Sequence, residues 1–410
     1  MPTPIEKTAP ASRGAEMIRL AETYSARNYH PLDVAIERAE RVWVWDADGR
    51  RYLDCLSAYS ALNQGHRHPA IIRALVEQAQ KVTLTSRAFH NAEMGPFLQE
   101  LCAYTGMDQA LPMNTGAEAV ETAIKAARRW GYRVKGVPRD QAEIIVCDGN
   151  FHGRTTTVIS FSPEESYRAG FGPFTPGFKI IPYGDLEALR GAVTAHTVGF
   201  LFEPIQGEGG VIVPPPGYLR GALEICRRER VLFMDDEIQT GFGRTGRRFC
   251  CDHEDVRPDM LILGKALGGG VYPVSAVCAS REILGVFDPG SHGSTFGGNP
   301  LAAAVARAAL RVVRDERLAE RSDELGAYFM GELRRIASPA VAEVRGRGLL
   351  VGVVIRKEAG SARPYCEALR EEGILAKETH DQVIRFAPPL VIEREEIDWM
   401  LPRIAKVLAR

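Results

Sequence analysis

Several features are missing from this chain of 410 residues, and each absence excludes something. No apolar run approaches the roughly 20 residues that a membrane-crossing helix needs. Charge of one sign is also missing: 51 basic side chains stand against 52 acidic ones. Neither nucleic acid nor an anionic membrane surface is therefore expected as a partner. The eight cysteines include no Cys-x-x-Cys pair. Cys250 and Cys251 are adjacent, a poor geometry for a simple bridge or a metal clip, so reduced, cytoplasmic thiols are expected. Residues 1–19 mix prolines with both charge signs and hold no hydrophobic segment. They are not a secretory signal and read as a loosely ordered lead-in. Internal repeats and low-complexity tracts are absent too.

What is there is an alternation of strand-like and helix-like runs from about Ala70 to Ser280. The clearest strands are Glu143 to Cys147, Gly199 to Phe202, Val231 to Met234 and Met260 to Leu263. Their apolarity is continuous, which suits strands covered on both faces in a mostly parallel α/β sheet. After Pro300 the pattern changes. A long helix is expected from Leu301 to Ile336, broken or bent near Gly326, then strands at Val341 to Ile355 and Val383 to Phe386 around a helix near Pro364 to Glu371. The expected organisation is an N-terminal segment (1–45), a large α/β domain (46–300) and a smaller α+β domain (301–410).

The chemistry starts at Lys265, where the run Met260 to Leu263 meets a glycine-rich loop. In open α/β sheets ligands bind at the carboxyl ends of the strands. A lysine held there, partly desolvated, loses its proton more easily and becomes an amine nucleophile for a carbonyl. Asp236 lies about 30 positions earlier, roughly one strand–helix–strand unit, at the end of another strand. Parallel topology would bring the two together. A carboxylate beside such a lysine suits a cofactor with a basic ring nitrogen, which it keeps protonated. Thr115-Gly116-Ala117-Glu118 has the spacing of a capping box before an apolar-periodic run. The N–H groups at such a helix start favour a phosphate. Phe151, after the strand ending near Cys147, can cover a flat ring, and Arg154 can fork onto a carboxylate. His152 reads as a stacking ring rather than a metal ligand, and His66 and His68 as makers of loop contacts. No metal site is expected. Gly241 to Gly246 matches the G-x-G-x-x-G pattern, yet the stretch from Arg247 to Asp259 is charged and turn-like. It is not the amphipathic helix that a dinucleotide fingerprint opens.

An amine, a ring-nitrogen acid, a phosphate cap and an aromatic cover together describe a pyridoxal-phosphate site. The strings that carry them resemble the class III aminotransferases of pyridoxal-phosphate fold type I, and among these the ornithine-type branch. The resemblance rests on Asn28-Tyr29-His30-Pro31, Ser57 to His66, Leu84 to Phe89, Gly170 to Gly177, Glu203 to Glu208, Gly293 to Pro300 and Ile384 to Pro389. It runs from about Ser25 to the C-terminus. It implies that Lys265 forms the Schiff base with pyridoxal 5′-phosphate and shuttles the proton, and that Asp236 pairs with the pyridinium nitrogen. Gln239 would touch the ring's phenolic oxygen, with Phe151 on one ring face and Ile238 near the other. Gly116 and Ala117 would offer N–H groups to the phosphate. Thr295 would reach the phosphate of a partner subunit, making a homodimer the smallest functional unit.

The same resemblance implies a substrate. Tyr29 and Arg154 would hold the α-amino and α-carboxylate groups of ornithine, with Tyr59 shaping the pocket. Arg385 would bind glutamate's α-carboxylate in the other half-reaction, and Glu208 would mask it while ornithine is bound. An unpaired buried arginine would otherwise attract the wrong carboxylate. The expected reaction moves the δ-amino group of ornithine to 2-oxoglutarate, giving glutamate 5-semialdehyde and glutamate. Several ornithine enzymes carry tryptophan where His152 stands, which leaves acetylornithine or 4-aminobutyrate as the alternative substrate; Tyr29 favours ornithine. More distant readings are a dinucleotide-dependent dehydrogenase and a catalytically silent scaffold. The scaffold would lack the lysine or the aspartate, and both are present.

Overall fold

The computed structural model describes residues 12–409. Its strands are β1 (Ile36–Glu40), β2 (Trp43–Asp46), β3 (Arg51–Asp54), β4 (Gln109–Met113), β5 (Glu143–Cys147), β6 (Phe178–Ile181), β7 (Thr197–Phe202), β8 (Leu232–Asp236), β9 (Met260–Leu263), β10 (Ser275–Ala279), β11 (Val341–Arg347), β12 (Leu350–Ile355), β13 (Ile374–Leu375), β14 (Lys377–Thr379) and β15 (Val383–Phe386). The central sheet has the order β4-β10-β9-β8-β7-β5-β6. Only β10 runs against its neighbours; β9, β8, β7, β5 and β6 are parallel. The mostly parallel α/β sheet expected from continuous apolarity is thus present.

Alternating side chains of these strands feed two cores. Ile144, Val146, Leu201, Met234 and Ile262 pack with the buried face of the helix Gly116–Trp130. Ile145, Phe200, Phe233 and Leu261 pack on the other side, with the helix Tyr218–Arg228. Covering both faces is what lets strands such as β7 and β9 be apolar throughout. One consequence matters for function. The C-terminal ends of β5, β7, β8 and β9 all open at the same edge of the sheet.

Two smaller sheets complete the fold. One is the antiparallel set β11-β12-β15-β14. The other, β1-β2-β3-β13, joins residues from both ends of the chain, since β13 pairs in parallel with β3. The boundary expected at 45/46 falls inside β2. The change of pattern near residue 300 coincides with a helix start: Asn299 accepts from the Ala302 N–H at 2.8 Å and opens the helix Pro300–Asp315. Among the described residues no helix is long and apolar enough to cross a membrane.

Two expectations need correction. Of the lead-in, residues 1–11 lie outside the described residues. The rest is not loose, because Arg13–Tyr24 is helical. Ser12 caps it by accepting from Ala15 N at 3.2 Å, and Asp48 accepts from the Gly14 N–H at 3.1 Å. The second correction concerns the long helix after Pro300. It breaks at Arg317, whose φ of +52° is left-handed, and a second helix spans Leu318–Arg335. Gly326 lies well inside that second helix and bends nothing. A Cβ built on it would stand 2.1 Å from the Gly348 carbonyl oxygen, so the glycine permits one backbone to lie against another.

Helix propensity alone favours alanine over glycine by about 1 kcal/mol in a helix interior. Here the contact is with backbone, which cannot rotate aside, and overpacking costs about 1–3 kcal/mol or more. Gly326→Ala is therefore expected to lower the unfolding free energy in a denaturant titration. A midpoint at or above that of the native chain would show that the two backbones separate freely.

Candidate active site

Lys265 stands just beyond β9. Gly264 is extended (φ −171°) and Lys265 itself is left-handed, with φ +43°. A non-glycine residue in that region is uncommon and costs energy unless its surroundings fix it. Its side chain lines a cavity of about 200 Å³ with Gly116, Ala117, Phe151, Asp236, Ile238 and Gln239. These are the residues that the sequence marks out for cofactor binding, gathered from four segments. Thr295 is not among them; it lies exposed on a loop that Ser294 ties to Asn114 at 2.9 Å.

Asp236 ends β8 opposite Ile262 of β9. Its Oδ1 accepts from the Ile238 N–H at 3.1 Å, and its Oδ2 lies 2.6 Å from His152 Nδ1. His152, which the sequence marks as a stacking ring, also lines the cavity and bonds to this acid. The imidazole is fully buried behind the acid and donates to it, while its Nε2 has no partner. Burial opposes a charged ring, but the hydrogen bond and charge of Asp236 hold its pKa above the ordinary histidine value. Nothing local in the sequence signals this contact, which joins the ends of different strands.

Lys265 Nζ makes no hydrogen bond or ion pair among the described residues. Burial lowers its pKa, and the charges of Glu208, Asp236 and Glu203 only partly restore it. An amine so shifted gives up its proton more readily than one in water, which favours nucleophilic attack. Glu203, missed as an individual residue from sequence, accepts from the Phe151 N–H at 2.9 Å. Burial, eased by His152, pushes its carboxyl up to about 8.

The phosphate end is built by the helix Gly116–Trp130. Thr115 and Glu118 form the expected capping box: Glu118 N donates to Thr115 Oγ1 at 3.3 Å and Thr115 N donates to Glu118 Oε2 at 2.7 Å. That leaves the N–H groups of Gly116 and Ala117 at the cavity wall. A Cβ on Gly116 would come within 3.1 Å of the Ile238 side chain, so glycine keeps this end open. Gln239 adds a buried Oε1 without a partner. A flat heteroaromatic ring with a basic nitrogen and a phosphate fits this donor set: acid at one end, helix N–H groups at the other, apolar walls between.

A second pocket of about 330 Å³ shares Phe151 with the first and is lined by Tyr29, Tyr59, Arg154, Glu208 and Arg385. Its two arginines differ. Arg385, on β15, is 1% exposed and sits 2.5 Å from Glu208. Tyr59 lies beneath it, the guanidinium carbon 4.8 Å from the ring centre. Burial raises the Glu208 carboxyl, but the charge and hydrogen bond of Arg385 more than reverse this and hold it below the usual range. Tyr59 is delivered by four successive left-handed residues, Ser57–Ser60, a turn that no sequence rule would foresee. Arg154, by contrast, is exposed and makes no ion pair among the described residues. It rests on aromatic rings, Tyr167 at 3.9 Å and Phe151 at 5.7 Å.

Other sequence candidates resolve simply. His66 meets Asp54 and His68 meets Glu316, each at 2.8 Å. Gly243 and Gly246 have φ values of +88° and +94° and pack against the helix Leu318–Arg335. They open no helix of their own. All eight cysteines are unpaired. Behind the site, Asp235, Glu237 and Cys251 are buried with their polar atoms within 4.8 Å of one another.

A family model described as aminotransferase class-III matches residues 24–408. The ornithine aminotransferase of Geobacillus sp. (strain WCH70) is 62% identical over 398 residues, which cover 97% of this chain and 99% of that protein. Among solved structures, the ornithine aminotransferase of Toxoplasma gondii, described with partial occupancy of PLP at its active site, superposes with a TM-score of 0.96. It is 47% identical, covering 97% of this chain and 94% of its own. The acetylornithine aminotransferase of Elizabethkingia anophelis gives a TM-score of 0.87 at 48% identity, covering 96% and 98%.

Asp235 generates a pH prediction. Burial, with Glu237 adding repulsion, raises its pKa well above the ordinary value, and a bond from the Cys251 thiol only partly offsets this. The folded state therefore holds a proton that the unfolded chain releases above about pH 4. Stability from this group is full below that pH and is lost as pH rises toward the folded pKa. The contribution of Asp235 should therefore fall as pH rises above about 4, until the folded carboxyl itself titrates. Asp235→Asn should flatten that slope by up to about 1.4 kcal/mol per pH unit. Parallel slopes in denaturant titrations of the two proteins would contradict the protonated state.

Proposed function

Because the chain belongs to the class-III aminotransferase family, we propose that it moves the δ-amino group of ornithine to 2-oxoglutarate through pyridoxal 5′-phosphate. The products are glutamate 5-semialdehyde and glutamate. The observation that carries the substrate assignment is the contrast between two arginines in one pocket. Arg385 is already neutralised by Glu208 at 2.5 Å, whereas Arg154 presents a guanidinium with no carboxylate of its own. A substrate bearing one α-carboxylate and a distant amine is steered to Arg154, leaving its far end toward Lys265. The relatives named ornithine aminotransferase support the same reading.

Bound pyridoxal 5′-phosphate supplies a carbon that accepts an amine and, with its ring nitrogen protonated, a sink for the electrons of the breaking C–H bond. The protein's residues do the rest. Gly116 and Ala117 N–H groups at the helix start hold the phosphate. Phe151 and Ile238 wall the ring, and Gln239 borders its oxygen. Asp236, kept in place by the Ile238 N–H and by His152, would pair with the ring nitrogen. Lys265 Nζ, eased toward its neutral form by burial, takes up the proton that leaves the δ carbon. Arg154 grips the α-carboxylate with a two-pronged hydrogen bond, and Tyr29 meets the α-amino group. In the second half-reaction Glu208 swings away from Arg385, which then receives the α-carboxylate of the oxo acid.

The functional unit is a homodimer in which the exposed Thr295 reaches the partner's phosphate. Eight unpaired thiols suit a reducing compartment, which supports a cytoplasmic location. Acetylornithine is the competing substrate, favoured by the likeness to the Elizabethkingia anophelis structure. A single-turnover half-reaction, read from the absorbance of the bound cofactor, separates the two. Ornithine should react faster than N-acetylornithine or 4-aminobutyrate; the reverse order would reassign the substrate. Lys265→Ala should lower turnover by at least about 10²–10⁴-fold, the range of general acid–base catalysis. Normal turnover in that variant would remove the lysine from the mechanism.

A further inference from the structure

Arg154 and Arg385 face the same pocket, yet the fold orients them by different means. Arg385 is buried, ion-paired and backed by Tyr59. Arg154 has neither burial nor an acidic partner. A long side chain exposed at a pocket mouth would sample many rotamers, and its fork would rarely point the right way. Its closest support is Tyr167, over whose ring the guanidinium carbon lies at 3.9 Å.

Tyr167 is itself well fixed. It is half-buried in the short helix Glu165–Arg168, and its N–H donates to the Glu164 carbonyl at 3.0 Å. Its ring meets the edge of Phe151 at a centroid distance of 6.1 Å and an angle of 78°. Phe151 lines both the cofactor cavity and the substrate pocket. The contacts therefore run from the cofactor wall through Phe151 to Tyr167 and on to Arg154.

We propose that Tyr167 is the positioning residue for Arg154, holding the guanidinium by its flat face so that its N–H edge stays free for the substrate's α-carboxylate. The chemistry explains why an aromatic serves here and an acid would not. A carboxylate would consume the donors that the substrate needs, and it would neutralise the charge that attracts the substrate. A ring engages the π face through a cation–π contact; unlike a carboxylate, it neither neutralises the charge nor takes the fork of in-plane donors as a pair. Tyr167 thus acts through whichever substrate carboxylate meets Arg154, while Arg385 has its own ring, Tyr59. This inference rests on the substrate reading above.

The test compares the two half-reactions of the cofactor-loaded enzyme by its absorbance. With Tyr167→Leu, the ornithine concentration giving half the limiting rate should rise about tenfold, with the limiting rate itself changing less than threefold. Glutamate carries a second carboxylate that Arg154 can take, so its half-saturating concentration should rise too, again with little change in limiting rate. Tyr167→Phe keeps the ring and should behave as native in both. A fall in the limiting rates that outweighs the rise in half-saturating concentration would show a general structural role and overturn the proposal. So would an unchanged ornithine response in Tyr167→Leu beside an active native enzyme, and that result leaves the substrate reading standing. Native enzyme inert toward ornithine would sink both.

Discussion

Asp236 lies opposite Ile262 across two parallel strands, so that β8 delivers its acid where β9 is about to deliver its amine. The rest of the site is arranged around that register. A slip by one residue would turn Asp236 toward the opposite core and bring Asp235 to the cavity. It would separate the ring-nitrogen partner from the nucleophile. The register is secured by burial: β9 is apolar at all four positions, and β8 is buried at all five. Function at this edge therefore depends on the fit of Met234, Ile262 and their neighbours under the helix Gly116–Trp130.

Gathering acids in a dry pocket would be unfavourable without partners, and the site supplies a different one to each. Asp236 has His152, Glu208 has Arg385, and Glu203 is relieved by a pKa raised to about 8. Of these groups, Lys265 alone has no hydrogen bond among the described residues. That asymmetry serves the chemistry, because an amine fixed in an ion pair would be held protonated and could not attack a carbonyl carbon. The pairs also insulate one another: with Glu208 committed to Arg385, its pull on the Lys265 proton is weakened. Buried pairs are weak evidence for stability; here their value lies in which groups they leave unpaired.

Much of this is legible in the sequence because it is local or comes from one topological rule. The Thr115–Glu118 capping box is a four-residue pattern, and the fold contains it. Lys265 and Asp236 meet because consecutive parallel strands end at the same edge. The features hidden from sequence depend on contacts between distant segments. His152 and Asp236 are 84 residues apart, and a histidine after a strand looks alike whether it stacks or backs an acid. The left-handed run Ser57–Ser60 has no glycine to announce it; surroundings such as the 2.6 Å bond from Ser57 Oγ to the Ala387 carbonyl hold it instead. Gly326 misleads for the same reason, since a glycine in a helical pattern signals a bend and a close approach alike.

The glycine motif that resembles a dinucleotide fingerprint has a role after all. Gly243 and Gly246 let the loop lie against the helix Leu318–Arg335, and between them Arg244 is wholly buried. Its guanidinium donates twice to Asn63 Oδ1, at 2.7 and 3.2 Å, and to the carbonyls of Leu349 and Pro388 at 3.0 and 2.6 Å. Asn63 lies four residues after Tyr59, and Pro388 three after Arg385. One side chain therefore pins the segment bearing the tyrosine to the segment bearing the arginine that stands over it. Burial lowers its pKa to about 9, so a charge is held out of water to make these bonds. Arginine suits the position because its planar fork can satisfy several acceptors at fixed angles. A lysine would reach one or two of them as a point charge, leaving the rest buried and unpaired at a cost of about 1–3 kcal/mol each. The geometry of the substrate pocket is thus set from a residue that faces neither substrate nor cofactor.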